Sequence, residues 1–368
     1  MHLPDFAMTL ATFGSLAPLA LWAGFLVGGI SPAAAADPFG AMVWEMLPPI
    51  PDAEGFAGSF AGVSKGALMV AGGANIAGDK WAEPLRKQWY DSVFVLEKPD
   101  GGWKGGFKLP RALGYGVSVT TERGVVCIGG SDAQRHYADV FLLEWRDDRI
   151  ETTALPALPE PCANMCGALL GNAIYVAGGT GRPDATEALK RFWKLDLSAA
   201  DPRWETLDPW PGPGRMLGVA GTAQGAFHLF GGASLKPGAD GKAVREYLRD
   251  AYAYHPGKGW KRLADMPRPA VAAPSPAIAA GDSHLLVVSG DDGSKVDFQP
   301  VRGHPGFPRD VLSYDVRQDA WSRAGDSPFS RATAPVVRWL GRDVIANGEV
   351  RPRVRTAEVW ALQVRRAH

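Results

Sequence analysis

Short apolar runs recur along the chain, and each of them ends at a turn that contains glycine. The runs are about as long as a β-strand, and the 3.6-residue periodicity of long helices is hard to find. The six runs are Leu68–Gly73, Val125–Gly130, Ile174–Gly179, Phe227–Gly232, Leu286–Gly290 and Val344–Gly348. Their last glycines are 57, 49, 53, 58 and 58 residues apart. This spacing predicts one structural unit of about 55 residues, present in six copies.

A second marker repeats in phase with the first. A tryptophan begins a short strand that runs into a proline-containing turn in five copies, at Trp44, Trp103, Trp204, Trp260 and Trp321, and Ile150 takes this place in the remaining copy. A further strand lies between the two markers, for example 91–96. Each unit is therefore predicted to contain four strands, a to d, with the glycine turn after strand b and the tryptophan on strand d.

The two ends of the chain complete one unit between them. The first copy begins with a lone strand d at about 41–46, and the last copy has strands a, b and c but no strand d. Pairing the first strand with the last three closes a ring and leaves no long exposed edge at the seam. The sequence therefore predicts an all-β fold, a six-bladed kelch-type β-propeller closed by its N-terminal strand.

The first 36 residues resemble an export signal. An apolar run from Leu10 to Val27 precedes four alanines that end at Ala36, which predicts a signal peptide over 1–36 and a single propeller domain over 37–368. No Lys or Arg precedes the apolar run, although a signal peptide would normally have one there. Two explanations are open: translation starts at Met8, or the segment is not cleaved and stays as a membrane anchor. The expected location is periplasmic or secreted, with no membrane span in the mature chain.

Composition excludes some partners and cofactors. Lys plus Arg and Asp plus Glu both number 39, so the net charge gives no reason to expect nucleic acid or an anionic membrane as a partner. Cys127, Cys162 and Cys166 do not form a disulfide framework; they are expected to be small buried residues, although one pair could bridge. No Cys-x-x-Cys or histidine cluster indicates a metal, and we expect no cofactor.

The sixth copy carries the most unusual candidate chemistry. Glu349 follows the strand-b turn directly, and Arg351, Arg353 and Arg355 follow within six residues. A surface carboxylate paired with arginine, contributing little, is the structural alternative. The glycine pairs themselves are attributed to crowding of strands around the central channel, where turns with positive φ favour glycine.

Residues 347–356, Asn-Gly-Glu-Val-Arg-Pro-Arg-Val-Arg-Thr, resemble the signature segment of the bacterial N-acetylneuraminate epimerases, the sialic acid mutarotases. Two further blocks, 55–74 and 114–130, are similar to other segments of that family. The order of the blocks is similar to that of the cyclically permuted branch of the family. The resemblance implies a six-bladed periplasmic propeller that interconverts the α and β anomers of N-acetylneuraminate or a related acidic sugar. It also implies Glu349 as the general base, and Arg355 as its paired catalytic residue that either holds the sugar's carboxylate or positions the reacting centre.

Other residues are weaker candidates for substrate binding. They are Arg111, Arg215, Arg268 and Arg331 after the d–a turns, Tyr115 and Asn75 in the matched blocks, and His136 in a b–c loop. A structural role is the alternative for each of the arginines and an exposed loop position for the histidine. The long loops 75–90 and 293–309 are expected to form walls of a pocket.

The resemblance leaves several alternatives open. A non-catalytic propeller that binds glycans or proteins is the main alternative to a mutarotase, and a sialic-acid-binding lectin would keep Arg355 without needing Glu349. The identity of the acidic sugar and the oligomeric state are not determined by the sequence.

Overall fold

The computed structural model describes residues 41–239 and 241–365. The predicted signal peptide at 1–36 lies outside these residues. Six four-stranded antiparallel sheets follow one another around a central channel, so the predicted six-bladed all-β propeller is confirmed. Within the described ranges no helix is long and apolar enough to cross a membrane.

Within each blade the strands pair in the order a, b, c, d. Blade 1 contains Phe60–Ser64, Ala67–Ala71, Ser92–Leu96 and Lys104–Lys108. Blade 2 contains Val117–Thr120, Val125–Ile128, Val140–Arg146 and Arg149–Leu155. Blade 3 contains Cys166–Leu170, Ala173–Ala177, Phe192–Asp196 and Trp204–Thr206. Blade 4 contains Val219–Ala223, Ala226–Phe230, Ala251–His255 and Gly259–Leu263.

The last two blades complete the ring. Blade 5 contains Ile278–Ala280, His284–Val288, Asp310–Asp315 and Ala320–Asp326. Blade 6 contains Val336–Trp339, Arg342–Ala346 and Val359–Val364, and its strand d is Met42–Leu47. This N-terminal strand pairs antiparallel with Val359–Val364, with Trp44 opposite Leu362. Closure of the ring by the N-terminal strand is therefore confirmed.

The repeated tryptophan on strand d joins neighbouring blades. In four blades its indole N–H donates a hydrogen bond of 2.8 or 2.9 Å to a carbonyl just beyond strand d of the preceding blade. The pairs are Trp103 with Pro48, Trp204 with Pro156, Trp260 with Asp208, and Trp321 with Ala264. A buried indole N–H needs such an acceptor, so the repeat of this residue type follows from blade-to-blade packing.

A closed cycle of six backbone hydrogen bonds surrounds the mouth of the channel. Each blade contributes a single residue from the segment that leads into strand a, and all six residues have a φ between 52° and 68°. Each N–H donates to the carbonyl of the equivalent residue in the preceding blade, at 2.6 to 2.8 Å. The six residues are Gly58, Tyr115, Asn164, Leu217, Ala272 and Thr333. We call this cycle the channel ring. It lies at the end of the channel where the b–c loops begin.

The b–c loops all begin at this end of the channel. The residue before each channel-ring position pairs with the residue that follows the strand-b glycine turn, and these second residues are Ala74, Ser131, Thr180, Ala233, Asp291 and Glu349. The loops of blades 1, 4 and 6 extend into hairpins made of Ala74–Ile76 with Lys87–Trp89, Ala233–Pro237 with Ala243–Tyr247, and Glu349–Arg351 with Val354–Arg355. The loop of blade 5 carries one 3₁₀ turn, Val301–Gly303.

Candidate active site

Glu349 and Arg355 meet because the sequence between them folds into a tight hairpin. Glu349–Arg351 pairs with Val354–Arg355, and Glu349 lies directly opposite Arg355 in the register. Arg353 turns the chain with a φ of 72°. The backbone of Glu349 is itself fixed, since its N–H and C=O exchange hydrogen bonds of 2.8 Å with Ala332 beside the channel ring. The predicted base and its predicted partner therefore stand on a rigid part of blade 6.

The Glu349 carboxylate is held through one of its two oxygens. Its Oε1 lies 3.2 Å from Nη1 of Arg355 and accepts a hydrogen bond of 2.8 Å from the backbone N–H of Arg353. The two side chains are 19% and 6% exposed, so this is an ion pair with little solvent screening. No described residue gives Oε2 a hydrogen bond or an ion pair, which leaves this oxygen available to a ligand.

The pair opens into a cleft built by four blades. Its walls come from the b–c loops of blades 1, 4, 5 and 6, including both of the loops that the sequence predicted as pocket walls. Four basic side chains, Lys87, Arg245, Arg353 and Arg355, line it together with two carboxylates, Asp291 and Glu349. Ile76, Leu85 and Phe307 add an apolar part. This excess of positive charge suits an anionic ligand that also has an apolar group.

All four arginines predicted to bind substrate are engaged in their own blades and do not line this cleft. Each forms an ion pair with the acidic residue at the start of strand c: Arg111 with Asp139 at 3.1 Å, Arg215 with Asp250 at 2.6 Å, Arg268 with Asp310 at 2.6 Å and Arg331 with Glu358 at 3.0 Å. Arg215 and Arg331 are fully buried and also donate to the carbonyls of the glycine turns. The repeat of this arginine has a structural explanation, which was the alternative considered for it.

Asn75 and His136 are also tied to the backbone. The Nδ2 of Asn75 donates to the carbonyl of Gly55 at 2.7 Å, and its Oδ1 accepts from the N–H of Ile76. His136 is buried, with Nδ1 2.9 Å from the carbonyl oxygen of Thr180. Burial lowers the pKa of His136, which favours the neutral ring at pH 7. Both side chains support the loops around the channel.

Tyr115 is a predicted binding residue that contacts a side chain of the cleft. It belongs to the channel ring, and its aromatic face carries the ammonium group of Lys87, with Nζ 3.7 Å from the ring centroid. Lys87 in turn lines the cleft with Glu349 and Arg355. Tyr115 therefore contributes to the cleft through this lysine.

Three charged residues of the cleft were missed in the sequence. Asp291 follows the glycine turn of blade 5 as Glu349 follows that of blade 6, so an alignment of the six copies could have found it. Its carboxylate accepts hydrogen bonds from the Tyr247 hydroxyl at 2.9 Å and from the N–H of Gly293 at 3.0 Å. Burial, together with this carboxylate, raises the pKa of Tyr247 to about 12. Lys87 and Arg245 lie in loops that carry no repeated marker.

Known proteins are similar to this chain in sequence over part of its length. The family model of N-acetylneuraminate epimerase matches residues 40–152. The N-acetylneuraminate epimerase of Haemophilus influenzae (strain PittEE) is 27% identical over 226 residues, 55% of this chain and 57% of that protein. The one from Yersinia enterocolitica serotype O:8 / biotype 1B (strain NCTC 13174 / 8081) is 28% identical over 231 residues, 56% of each. The chain thus spans a little more than half the length of these relatives.

A solved structure extends the comparison to the whole propeller. The structure of YjhT matches with a TM-score of 0.63 and 15% identity, over 87% of this chain and 99% of that one. At this identity the match supports the fold alone. The sequence matches confirm the predicted resemblance to the N-acetylneuraminate epimerases.

Proposed function

We propose that this chain, which resembles the N-acetylneuraminate epimerases, is a mutarotase that interconverts the α and β anomers of N-acetylneuraminate or a related acidic sugar. The observation that carries the proposal is the largely buried Glu349–Arg355 pair, placed in a cleft lined by four basic side chains. A base beside a set of cations is the arrangement that proton transfer on an anionic sugar requires.

The proposed reaction begins at the anomeric hydroxyl. Glu349 accepts the hydroxyl proton through its unengaged Oε2, and the electrons of that O–H bond form the carbonyl. The bond between the anomeric carbon and the ring oxygen breaks, and its electron pair stays on the ring oxygen. That oxygen takes up a proton that the second carboxyl group of the cleft, Asp291, donates or relays from water. Rotation about the bond to the former anomeric carbon, followed by the reverse steps, closes the ring as the other anomer and restores Glu349.

Arg355 and the Arg353 backbone hold the base in place during these steps. Both contact Oε1, so one carboxylate oxygen is held in place and Oε2 is left for the substrate. Such preorganisation lets a base act without first being positioned by the substrate. The guanidinium of Arg355 also offsets the charge of the carboxylate each time the proton returns to the sugar.

The experiment is to follow anomer equilibration by proton NMR immediately after a sialidase releases α-N-acetylneuraminate. The expected result is faster equilibration with the protein than with buffer or heat-denatured protein. An unchanged spontaneous rate would contradict the mutarotase. If the sugar still bound in a separate calorimetric titration, the result would favour the glycan-binding alternative.

We also propose that the protein is exported to the periplasm or beyond, on the basis of the apolar segment and alanine cluster within residues 1–36. Mass spectrometry of the protein from the exported fraction of the native host is expected to give a chain that begins near Asp37. A full-length chain found with the membrane fraction would indicate an uncleaved anchor instead.

A further inference from the structure

The ammonium group of Lys87 lies over two aromatic rings, those of Tyr115 and Trp89, at the edge of the cleft. Its Nζ lies 3.7 Å from the ring centroid of Tyr115 and 4.8 Å from that of Trp89. The two rings meet edge-on, with centroids 6.5 Å apart. An ammonium group over such ring faces is attracted by their negative electrostatic potential, so the lysine is directed by two neighbours although its side chain is exposed.

The channel ring fixes the position of Tyr115. The N–H of Tyr115 donates to the carbonyl of Gly58 at 2.7 Å, as part of the backbone cycle. The aromatic ring lies so close to Gly58 that a Cβ at that position would be 2.7 Å from Cδ1 of Tyr115. Gly58 therefore permits the close approach that places the ring of Tyr115 below the ammonium group of Lys87.

The cations of the cleft differ in whether an acidic side chain neutralises them. Arg353 pairs with Glu83 at 2.6 Å, and Arg355 pairs with Glu349 at 3.2 Å. No acidic side chain of the described residues lies within ion-pair distance of Lys87 or of Arg245. Arg245 is hydrogen-bonded with Tyr247, whereas Lys87 is held by aromatic rings. Aromatic faces orient a cation without cancelling its charge, so Lys87 presents its full charge to the cleft.

We infer that Lys87 binds the carboxylate of the acidic sugar and so selects this substrate class, an inference that rests on the proposed function. The carboxylate keeps its charge through ring opening and reclosure. Its contact with Lys87 therefore stabilises the ground state and the transition state equally, which affects KM and leaves kcat unchanged. Arg355 is engaged with the base, whereas Lys87 has its charge free for this contact.

The test compares Lys87→Met, Lys87→Arg and the charge-matched control Lys98→Met in the NMR assay. Lys98 is an exposed residue of the c–d turn of blade 1, at the opposite end of the blade from the cleft. A charge-assisted contact at an exposed position predicts that Lys87→Met raises KM about tenfold with kcat nearly unchanged. Lys87→Arg and Lys98→Met are expected to stay close to wild type.

The methyl ester of the sugar separates the carboxylate contact from other effects of the substitution. Wild type is expected to bind the ester about tenfold more weakly than the acid, and Lys87→Met is expected to bind both equally. The inference is overturned if Lys87→Met has the wild-type KM, or if it weakens acid and ester by the same factor. If wild type does not accelerate the reaction, the proposed function has failed, and calorimetry with acid and ester still tests the Lys87 contact by the same criteria.

Discussion

A buried carboxylate, that of Asp343, makes the free energy of unfolding of the propeller depend on pH. Asp343 lies in strand Arg342–Ala346 of blade 6, and its side chain is 8% exposed. Nη1 of Arg338 donates to it at 2.5 Å, but this arginine is 60% exposed, so solvent screens its charge. Burial therefore dominates and raises the pKa of Asp343 from 3.8 to about 6.

The sign and size of the effect follow from proton linkage. Between pH 3.8 and about 6 the folded chain retains a proton that the unfolded chain has lost, so the free energy of unfolding falls as pH rises through this window. The full difference between the two pKa values corresponds to about 3 kcal/mol. About 2 kcal/mol of this is lost between pH 4.5 and 8, and the loss is nearly complete above pH 7.

Asp343→Asn removes this ionisation at almost constant volume. We expect the free energy of unfolding of the variant, relative to wild type, to rise by about 2 kcal/mol from pH 4.5 to pH 8. Urea unfolding followed by tryptophan fluorescence at the two pH values measures this difference. Asp201→Asn, at a carboxylate that is 73% exposed, is the control and is expected to show almost no change. A difference between Asp343→Asn and wild type that is constant with pH would refute the reasoning.

Three further predictions concern the ion pairs, the second carboxylate and the thiols. Arg215→Met leaves the carboxylate of Asp250 without its buried partner, so urea unfolding should show a loss of about 3–5 kcal/mol; a loss below about 1 kcal/mol would contradict the structural role. Mutarotation needs a second proton-transfer group, and Asp291 lines the cleft with Glu349. Asp291→Asn is therefore expected to lower kcat in the NMR assay by about 100-fold. An unchanged kcat would exclude Asp291 from proton transfer. All 3 cysteines are buried, and burial raises the pKa of Cys166 to about 12. Ellman's reagent is therefore expected to label the cysteines only after unfolding. Rapid labelling of the native protein would contradict this, because it would show that a thiol is accessible.

The fold could be predicted from the sequence because its determinants are local and repeated. The glycine turns and the strand-d tryptophans mark each blade, and both have a physical role in the structure. The glycines form the turns beside the channel, and the tryptophans donate hydrogen bonds between blades. The lone first strand predicted closure for a similar reason, since a ring of blades must pair its ends. The pairing of Glu349 with Arg355 could be predicted from the sequence because one short hairpin carries both residues.

The rest of the cleft depends on contacts between distant segments. Lys87 comes from blade 1 and Arg245 from blade 4, and only the assembled ring brings them to Glu349. The arginines after the d–a turns have the residue type expected of an anion site, yet the acidic residues that engage them lie 27 to 42 positions further along the chain. Residue type alone therefore could not separate the structural cations from those of the cleft.

The most direct test of the proposed mechanism is the rate of anomer equilibration with Glu349→Gln, measured by proton NMR on freshly released α-N-acetylneuraminate. The amide keeps the size of the side chain but cannot accept the proton. Glu83→Gln is the matched control, because Glu83 also pairs with an arginine of the same hairpin but is 67% exposed. The mechanism predicts that Glu349→Gln lowers kcat by at least about 100-fold while Glu83→Gln stays close to wild type. A Glu349→Gln protein with the wild-type rate would contradict it.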